Sequence, residues 1–236
     1  MTRRRWIADE VSGDRAALTG SHAEHLIRVL RARVGQEFDI AAGDAVYRGR
    51  IALIGDHRVE FELGERVSAP EQIELTLILA IIKFDRMEWA IEKCTELGVA
   101  KIVPLIANRT DVHLAAAALK RAERWRRIAR EAAEQSRRSA PPDISQPLRA
   151  KEAAALPGNT RILLAEFETQ TTLRDAVQSH RGHDLLLAVG PEGGWTEEEG
   201  QLFRTAGWIA ASLGQTILRA ETAAIAATAI VMAELQ

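Results

Sequence analysis

The stretch Leu185-Leu-Leu-Ala-Val-Gly-Pro-Glu-Gly-Gly-Trp-Thr-Glu-Glu-Glu199 decides the reading of this chain. Its uninterrupted apolar start is the mark of a strand buried on both faces. The run ends at Gly190, and three glycines within five residues let a ligand approach the backbone closely. Thr196 with Glu199 three positions later is a capping box, so a helix opens there. A strand passing through a glycine loop into a helix is the local unit of an open α/β sheet. Ligands of such sheets bind at the carboxyl ends of the strands. Alone, the loop also reads as a tight turn without a ligand.

The same grammar extends outward in both directions. Ile73–Ile82 is another continuous apolar run, followed by a helix from about Asp85 to Leu97 that Gly98 stops. Lys101–Ile106 is a strand, and a long helix from about Ala115 to Arg137 ends before Pro141-Pro142. Arg161–Phe167 and Asp184–Val189 are strands with a helix near Leu173–Ser179 between them. Thr196–Thr205 is a short helix, Trp208–Ser212 a short strand, and Glu221–Leu235 an alanine-rich helix. This alternation predicts an α/β domain over 71–236 with a mostly parallel sheet.

The first seventy residues read differently. His22–Arg33 has Leu26, Val29 and Leu30 at helical spacing. The β-like runs Glu37–Ile40, Ala45–Ile54 and Arg58–Leu63 follow, separated by turn residues, and predict a small β-barrel over 1–70. Ser68–Gln72 reads as a linker. Such barrels often bind oligonucleotides, although fold alone does not decide function.

Composition removes several classes. Of 236 residues, 47% are hydrophobic and 27% charged, an ordinary globular balance. No apolar run approaches the ~20 residues that cross a bilayer. The start holds Arg3, Arg4, Arg5, Asp9 and Glu10 without an apolar core, so no secretory signal is expected and the cytoplasm is the expected location. Cys94 is the single cysteine, which excludes an internal disulfide and a CxxC metal site. The six histidines show no HxxxH or HExxH spacing, so no metal is expected. Net charge is −2, yet 26 of 31 basic residues are arginine. Eight basic residues fall between Lys120 and Arg138, a patch that suits RNA phosphates or a solvated helix face.

The ligand can be narrowed by charge. Glu192 lies in the glycine loop, and Glu197, Glu198 and Glu199 occupy the following helical turn. Four carboxylates would repel a polyphosphate, and neither GxxxxGK[ST] nor GxGxxG is present. A neutral or cationic cofactor fits better, such as an adenosyl group carrying a sulfonium. A second segment, Leu213-Gly-Gln-Thr-Ile-Leu-Arg-Ala-Glu-Thr-Ala223, supplies a turn at Gly214, an apolar wall at Ile217 and Leu218, and then Arg219 and Glu221. Glu221 at a helix start is also favoured by the helix dipole, and Arg219 could simply pair with it.

Taken together, the two segments resemble the SPOUT-class RNA methyltransferases, and within them the RsmE family of small-subunit rRNA uridine-N3 methyltransferases. The resemblance extends to His25-Leu-x-x-Val-Leu-Arg31 with Gly35, and to Lys83-x-Asp-Arg-Met-Glu88. It continues through Lys93-x-Thr-Glu-Leu-Gly-Val99 with Pro104, and Arg124-Trp-x-x-Ile-x-x-Glu-Ala-x-Glu-Gln-Ser-x-Arg138 with Pro142. It covers about residues 3–233. Phe84 departs from the pattern, which has a small residue after the lysine.

The resemblance implies a PUA-like RNA-binding barrel at the N-terminus. It implies a C-terminal SPOUT sheet with a deep trefoil knot, and homodimers. S-adenosyl-L-methionine would be held by Leu164, Ala165, Glu166, Val189, Gly190, Gly193, Gly194, Leu213, Gly214, Ile217 and Leu218. The substrate would be N3 of a uridine in 16S rRNA of the small ribosomal subunit. Arg219 would be the cation facing the deprotonated base, with Glu221 orienting it or relaying the proton and Glu192 the competing base. Arg3, Arg4, Arg5, Arg28, Arg31, Lys83, Arg109, Arg124, Arg127 and Arg138 are the expected RNA contacts. Rival readings are a related enzyme with another RNA target, an RNA-binding assembly factor without catalysis, and a nucleotide-hydrolysing α/β protein.

Overall fold

The computed structural model describes residues 5–43, 45–67, 73–179 and 184–235. Arg3, Arg4 and the expected linker therefore lie outside the described residues. The chain divides into two compact units, Met1–Glu71 with Ala133–Pro141, and Gln72–Ala132 with Pro142–Gln236.

The first unit holds strands β1 (Arg5–Ile7), β2 (Glu10–Ser12), β3 (Arg15–Thr19), β4 (Glu37–Ala42), β5 (Ala45–Ile54) and β6 (Arg58–Val67). They form one curled sheet in the order β1-β4-β5-β6-β3-β2, antiparallel except for the β1–β4 pair. Trp6, Leu18, Leu26, Ile40, Ile51 and Phe61 fill its core. Two of the three N-terminal strands carry no alternating pattern: β2 is exposed throughout, and Ala16, Ala17 and Leu18 of β3 are buried in succession. The helix expected over His22–Arg33 is shorter. Helix α1 (Gly20–Glu24) passes into a π-helical turn, His25–Val29. Only Leu26 of the expected apolar stripe is buried, whereas Val29 and Leu30 are 64% and 41% exposed. With no apolar face to cover, nothing prolongs the helix, and Arg31 turns the backbone left-handed at φ +49°.

The second unit contains β7 (Glu74–Ala80), α2 (Phe84–Leu97), β8 (Lys101–Ile106), α3 (Val112–Gln135), β9 (Asp143–Ile144), β10 (Leu148–Arg149) and α4 (Ala150–Ala154). It continues with β11 (Thr160–Leu164), α5 (Leu173–Ser179), β12 (Asp184–Val189), α6 (Glu197–Thr205), β13 (Ile209–Ala211) and α7 (Ala220–Leu235). Every pairing in its sheet is parallel, in the order β10-β8-β7-β12-β11-β13, with β9 on β8. Alternation decides which side chain meets which layer. Leu185, Leu187 and Val189 of β12 face one core with α2 and α7, while Leu186 and Ala188 face the other with α6. Each large apolar side chain so buried contributes about 1.5–3 kcal/mol. Gly98 ends α2 at φ +110°, where a Cβ would come within 2.7 Å of Met232 Cε on α7. Phe84, the departure from the family pattern, opens α2 with its ring under the Arg121 guanidinium at 4.5 Å and 6.2 Å from the Trp125 ring.

Candidate active site

Strand β12 is inserted between β7 and β11, and β13 lies outside β11. The connections leaving the carboxyl ends of β11, β12 and β13 therefore meet at one edge of the sheet, where parallel sheets bind ligands. They enclose a cavity of about 500 Å³.

Each connection is held by its own chemistry. The Trp195 indole N–H donates to the Leu164 carbonyl at 2.7 Å, tying the glycine loop back to the end of β11. Gly190 leaves room for that ring: a Cβ there would lie 3.0 Å from the indole. Gly194 adopts φ +70° and donates its N–H to the Pro191 carbonyl at 2.9 Å, closing the turn. A Cβ at Gly194 would overlap the Glu166 carboxylate. The capping box read at Thr196 and Glu199 is present. Glu199, 2% exposed, also accepts the Asn108 backbone N–H at 2.8 Å, anchoring α6 to the segment after β8. The Ala165 N–H donates to the Ala211 carbonyl at 3.0 Å and the Ser212 N–H to the Thr171 carbonyl at 2.9 Å, joining the loops after β11 and β13.

Leu164, Ala165 and Glu166 line the cavity from the first loop, and Val189, Gly190 and Gly194 from the second. Leu213, Gly214, Ile217 and Leu218 line it from the third. Gly193 does not line it; its carbonyl accepts a hydrogen bond from Arg109 Nη1 at 2.5 Å. Glu192 and Arg219 both line the cavity, while Glu221 does not and is 5% exposed at the start of α7. Arg219 is exposed and makes no ion pair among the described residues.

The partner of Glu221 is instead Arg86, on the first turn of α2. Arg86 Nε lies 3.6 Å from Glu221 Oε1, and its Nη1 lies 3.8 Å from Glu192 Oε1. Arg86 and Trp195 line the cavity and were not singled out from the sequence as site residues. Both stood inside the motifs quoted above, but neither motif gave them a role. Two arginines and three carboxylates now stand at or beside the cavity: Arg86, Arg219, Glu166, Glu192 and Glu221. Their formal sum is one negative charge.

The expected RNA contacts are dispersed in their engagements. Arg28, Arg31 and Lys83 are exposed without an ion pair among the described residues. Arg124 is committed to Glu88 through two hydrogen bonds, at 2.6 and 2.7 Å. Arg127 sits 3.8 Å from Glu131. Burial lowers the pKa of Arg5, which donates to the Arg137 carbonyl, and brings Arg138 down to about 10. Among the described residues no cluster of His, Cys, Asp and Glu is placed to hold a metal ion. No helix among them is long and apolar enough to cross a membrane.

The family described as RNA methyltransferase domain matches residues 69–232. A ribosomal RNA small subunit methyltransferase E from Synechocystis sp. is 36% identical, over 93% of this chain and 73% of that protein. One from Rickettsia conorii is 33% identical over 90% of this chain and 87% of its own length. The crystal structure of a ribosomal RNA small subunit methyltransferase E from Neisseria gonorrhoeae, bound to S-adenosyl methionine, superposes with a TM-score of 0.85 at 32% identity. That match covers 97% of this chain and 96% of the other.

Proposed function

Because this chain belongs to the ribosomal RNA small subunit methyltransferase E family, we propose that it methylates N3 of a uridine in 16S rRNA of the small ribosomal subunit, with S-adenosyl-L-methionine as methyl donor. The observation that carries this reading is the cavity of about 500 Å³ between the three loops. Its size suits a drug-sized ligand. Its apolar wall at Leu213, Ile217 and Leu218 suits an adenine ring, and its net negative charge suits a sulfonium rather than a phosphate. Backbone groups of Leu164–Glu166, Val189–Gly190 and Leu213–Gly214 would hold the adenosine, with Gly193 supporting the loop from outside.

When bound, S-adenosylmethionine supplies a methyl group on a positively charged sulfur that leaves as a neutral thioether. The chain's own residues must make N3 of uracil a nucleophile by removing its proton and spreading the resulting charge over the ring oxygens. Glu192 lines the cavity at 40% side-chain exposure, whereas Glu221 does not line it, which supports Glu192 as the carboxylate that would accept that proton. Arg219, exposed at the same cavity, would face the oxygen on which negative charge develops. The loops around the cavity would have to hold N3, the methyl carbon and the sulfur in line, so that the N–C bond could form as the C–S bond breaks.

Several finer features go with this reading. The curled N-terminal sheet, residues 1–70, is taken as a PUA-like barrel that binds RNA, and 71–236 as a SPOUT domain. The insertion of β12 between β7 and β11, with three long connections at one edge, supports threading into a trefoil knot. On helix α7 the partly exposed Ile225, Ala226, Ala229 and Ile230 support packing between two copies in a homodimer. A cytoplasmic enzyme of ribosome biogenesis is the setting that fits such a substrate. Arg28, Arg31, Lys83 and Arg127 are the exposed cations available for phosphates, together with Arg3 and Arg4 from outside the described residues.

Calorimetric titration with S-adenosylmethionine and, in parallel, ATP tests the site. Incubation with methyl-labelled cofactor and small subunits from cells lacking the gene tests the substrate. Saturable binding of S-adenosylmethionine alone, with label on N3 of one uridine, is the expected result. Binding with label elsewhere would change the target and keep the enzyme. RNA binding without cofactor binding would make the chain an assembly factor.

A further inference from the structure

Arg86 has no role in the chemistry described so far, yet it is the residue on which three separate elements converge. It projects from the first turn of α2 into the cavity and stands between Glu192 of the glycine loop and Glu221 of the first turn of α7. Its distances to them, 3.8 and 3.6 Å, exceed the 2.7–2.9 Å of a charge-assisted hydrogen bond. The pairing is therefore an attraction between charges with room to tighten, and not a fixed fork.

Glu221 shows what this attraction does. It is 5% exposed, and its Oε2 is buried without a hydrogen-bond partner among the described residues. A buried carboxylate so poorly satisfied is costly unless a cation stands beside it. The start of α7 contributes part of the compensation through the helix dipole, and Arg86 supplies the full charge. The only other arginine lining the cavity is Arg219, two positions before Glu221 in the chain and without an ion pair among the described residues. Without Arg86, Glu221 would draw on Arg219, whose guanidinium would then turn away from the substrate.

We infer that Arg86 is a positioning residue: by neutralising Glu221 and drawing the Glu192 carboxylate toward the start of α7, it orients that side chain and leaves Arg219 for the substrate. This rests on the methyltransferase reading of the cavity. Neither carboxylate is a neighbour of Arg86 in the chain, so only the fold brings the three together.

The experiment compares the full-length wild type with Arg86→Gln, Arg86→Lys, Glu221→Gln and the Arg86→Gln/Glu221→Gln double variant. Each is read by S-adenosylmethionine calorimetry, by single-turnover methyl transfer to unmethylated small subunits, and by melting temperature. Arg86→Gln is expected to slow transfer by roughly 10–100-fold, the effect of a misplaced group. Its cofactor affinity should change on the order of threefold or less, because the loss lies in the transition state. The double variant should be faster than Arg86→Gln, since removing the Glu221 charge releases Arg219. A purely structural role for Arg86 predicts that transfer falls and recovers only in step with melting temperature, whereas a positioning role predicts slower transfer in protein that is still fully folded at the assay temperature. Arg86→Lys keeps the charge and should retain transfer within about tenfold of wild type.

Transfer unchanged in Arg86→Gln overturns the assignment, as does a double variant slower than Arg86→Gln. Should Arg86→Gln fail to fold, the lysine variant decides: transfer as slow as that of Arg219→Ala overturns it. A wild-type protein that binds no S-adenosylmethionine refutes the cavity reading itself. Wild-type transfer with an insensitive Arg86 refutes only the role given to Arg86.

Discussion

Trp195 Nε1 and the Leu164 carbonyl, 31 positions apart in sequence, meet at 2.7 Å in a buried hydrogen bond that fixes the glycine loop to the end of β11. The same indole packs on Phe203 at 5.2 Å, which in turn packs on Trp208 at 5.0 Å. One side chain thus joins a cavity wall to the core beneath it. Trp195→Phe keeps most of the apolar area but removes the donor. Leaving a buried carbonyl without this partner costs about 1–3 kcal/mol. Urea unfolding should show a loss in that range, and cofactor affinity should fall with it. Unchanged stability would mean that water or another donor takes the indole's place.

Gly194 is the position in the loop least able to carry a side chain. It adopts φ +70°, and an added Cβ would overlap the Glu166 carboxylate. Gly194→Ala costs about 1–2 kcal/mol for the left-handed backbone. It also pushes Glu166 off the cavity wall. Weakening of S-adenosylmethionine binding by about tenfold or more is expected in calorimetry, the equivalent of about 1.4 kcal/mol. Affinity within twofold of wild type would remove Glu166 from the binding surface.

The sequence made the parallel sheet legible where both faces of a strand are buried, as at β7 and β12, because such strands are continuous apolar runs. It made the glycine loop and the turn at Gly214 legible because the residues that build each are adjacent in the chain, whereas Leu164–Glu166 carry no local pattern and are expected only from the family resemblance. The N-terminal strands were not legible. β2 has no buried residue, and β1 is three residues long. The role of Arg86 is not legible for another reason: its partners lie more than a hundred positions away, and no local pattern distinguishes it from Asp85 or Glu88 in the same turn. Pairing Arg219 with its neighbour Glu221 was the natural local reading, and the tertiary ion pair with Arg86 takes precedence over it.

Arg219→Ala separates chemistry from folding. The side chain is exposed and without an ion pair among the described residues, so stability should stay within about 0.5 kcal/mol of wild type. Methyl transfer should fall by roughly 10²–10³, the usual cost of one charge-stabilising donor. Single-turnover rates on intact small subunits, with melting temperatures recorded in parallel, check both halves. Near-wild-type transfer would exclude Arg219 as the cation at the reacting base.

Cys94 gives a test of the core by pH. It is fully buried on α2, and the Thr228 hydroxyl of α7 donates to its Sγ at 3.5 Å. Burial pushes the thiol up from its ordinary 9.0 to about 12, with the Thr228 contact acting weakly in the opposite direction. The folded state therefore holds a proton that the unfolded chain releases above pH 9. Stability from this group is complete below pH 9 and declines as pH rises from 9 toward 12, at a slope approaching about 1.4 kcal/mol per pH unit. Cys94→Ala lowers stability at every pH by emptying part of the core, so the absolute values do not decide. The difference between wild type and variant should shrink steadily above pH 9 in denaturant titrations, and native protein at pH 8 should resist alkylation. A difference independent of pH, or rapid alkylation of the native protein, would show that α2 and α7 open at Cys94 far more readily than their packing implies.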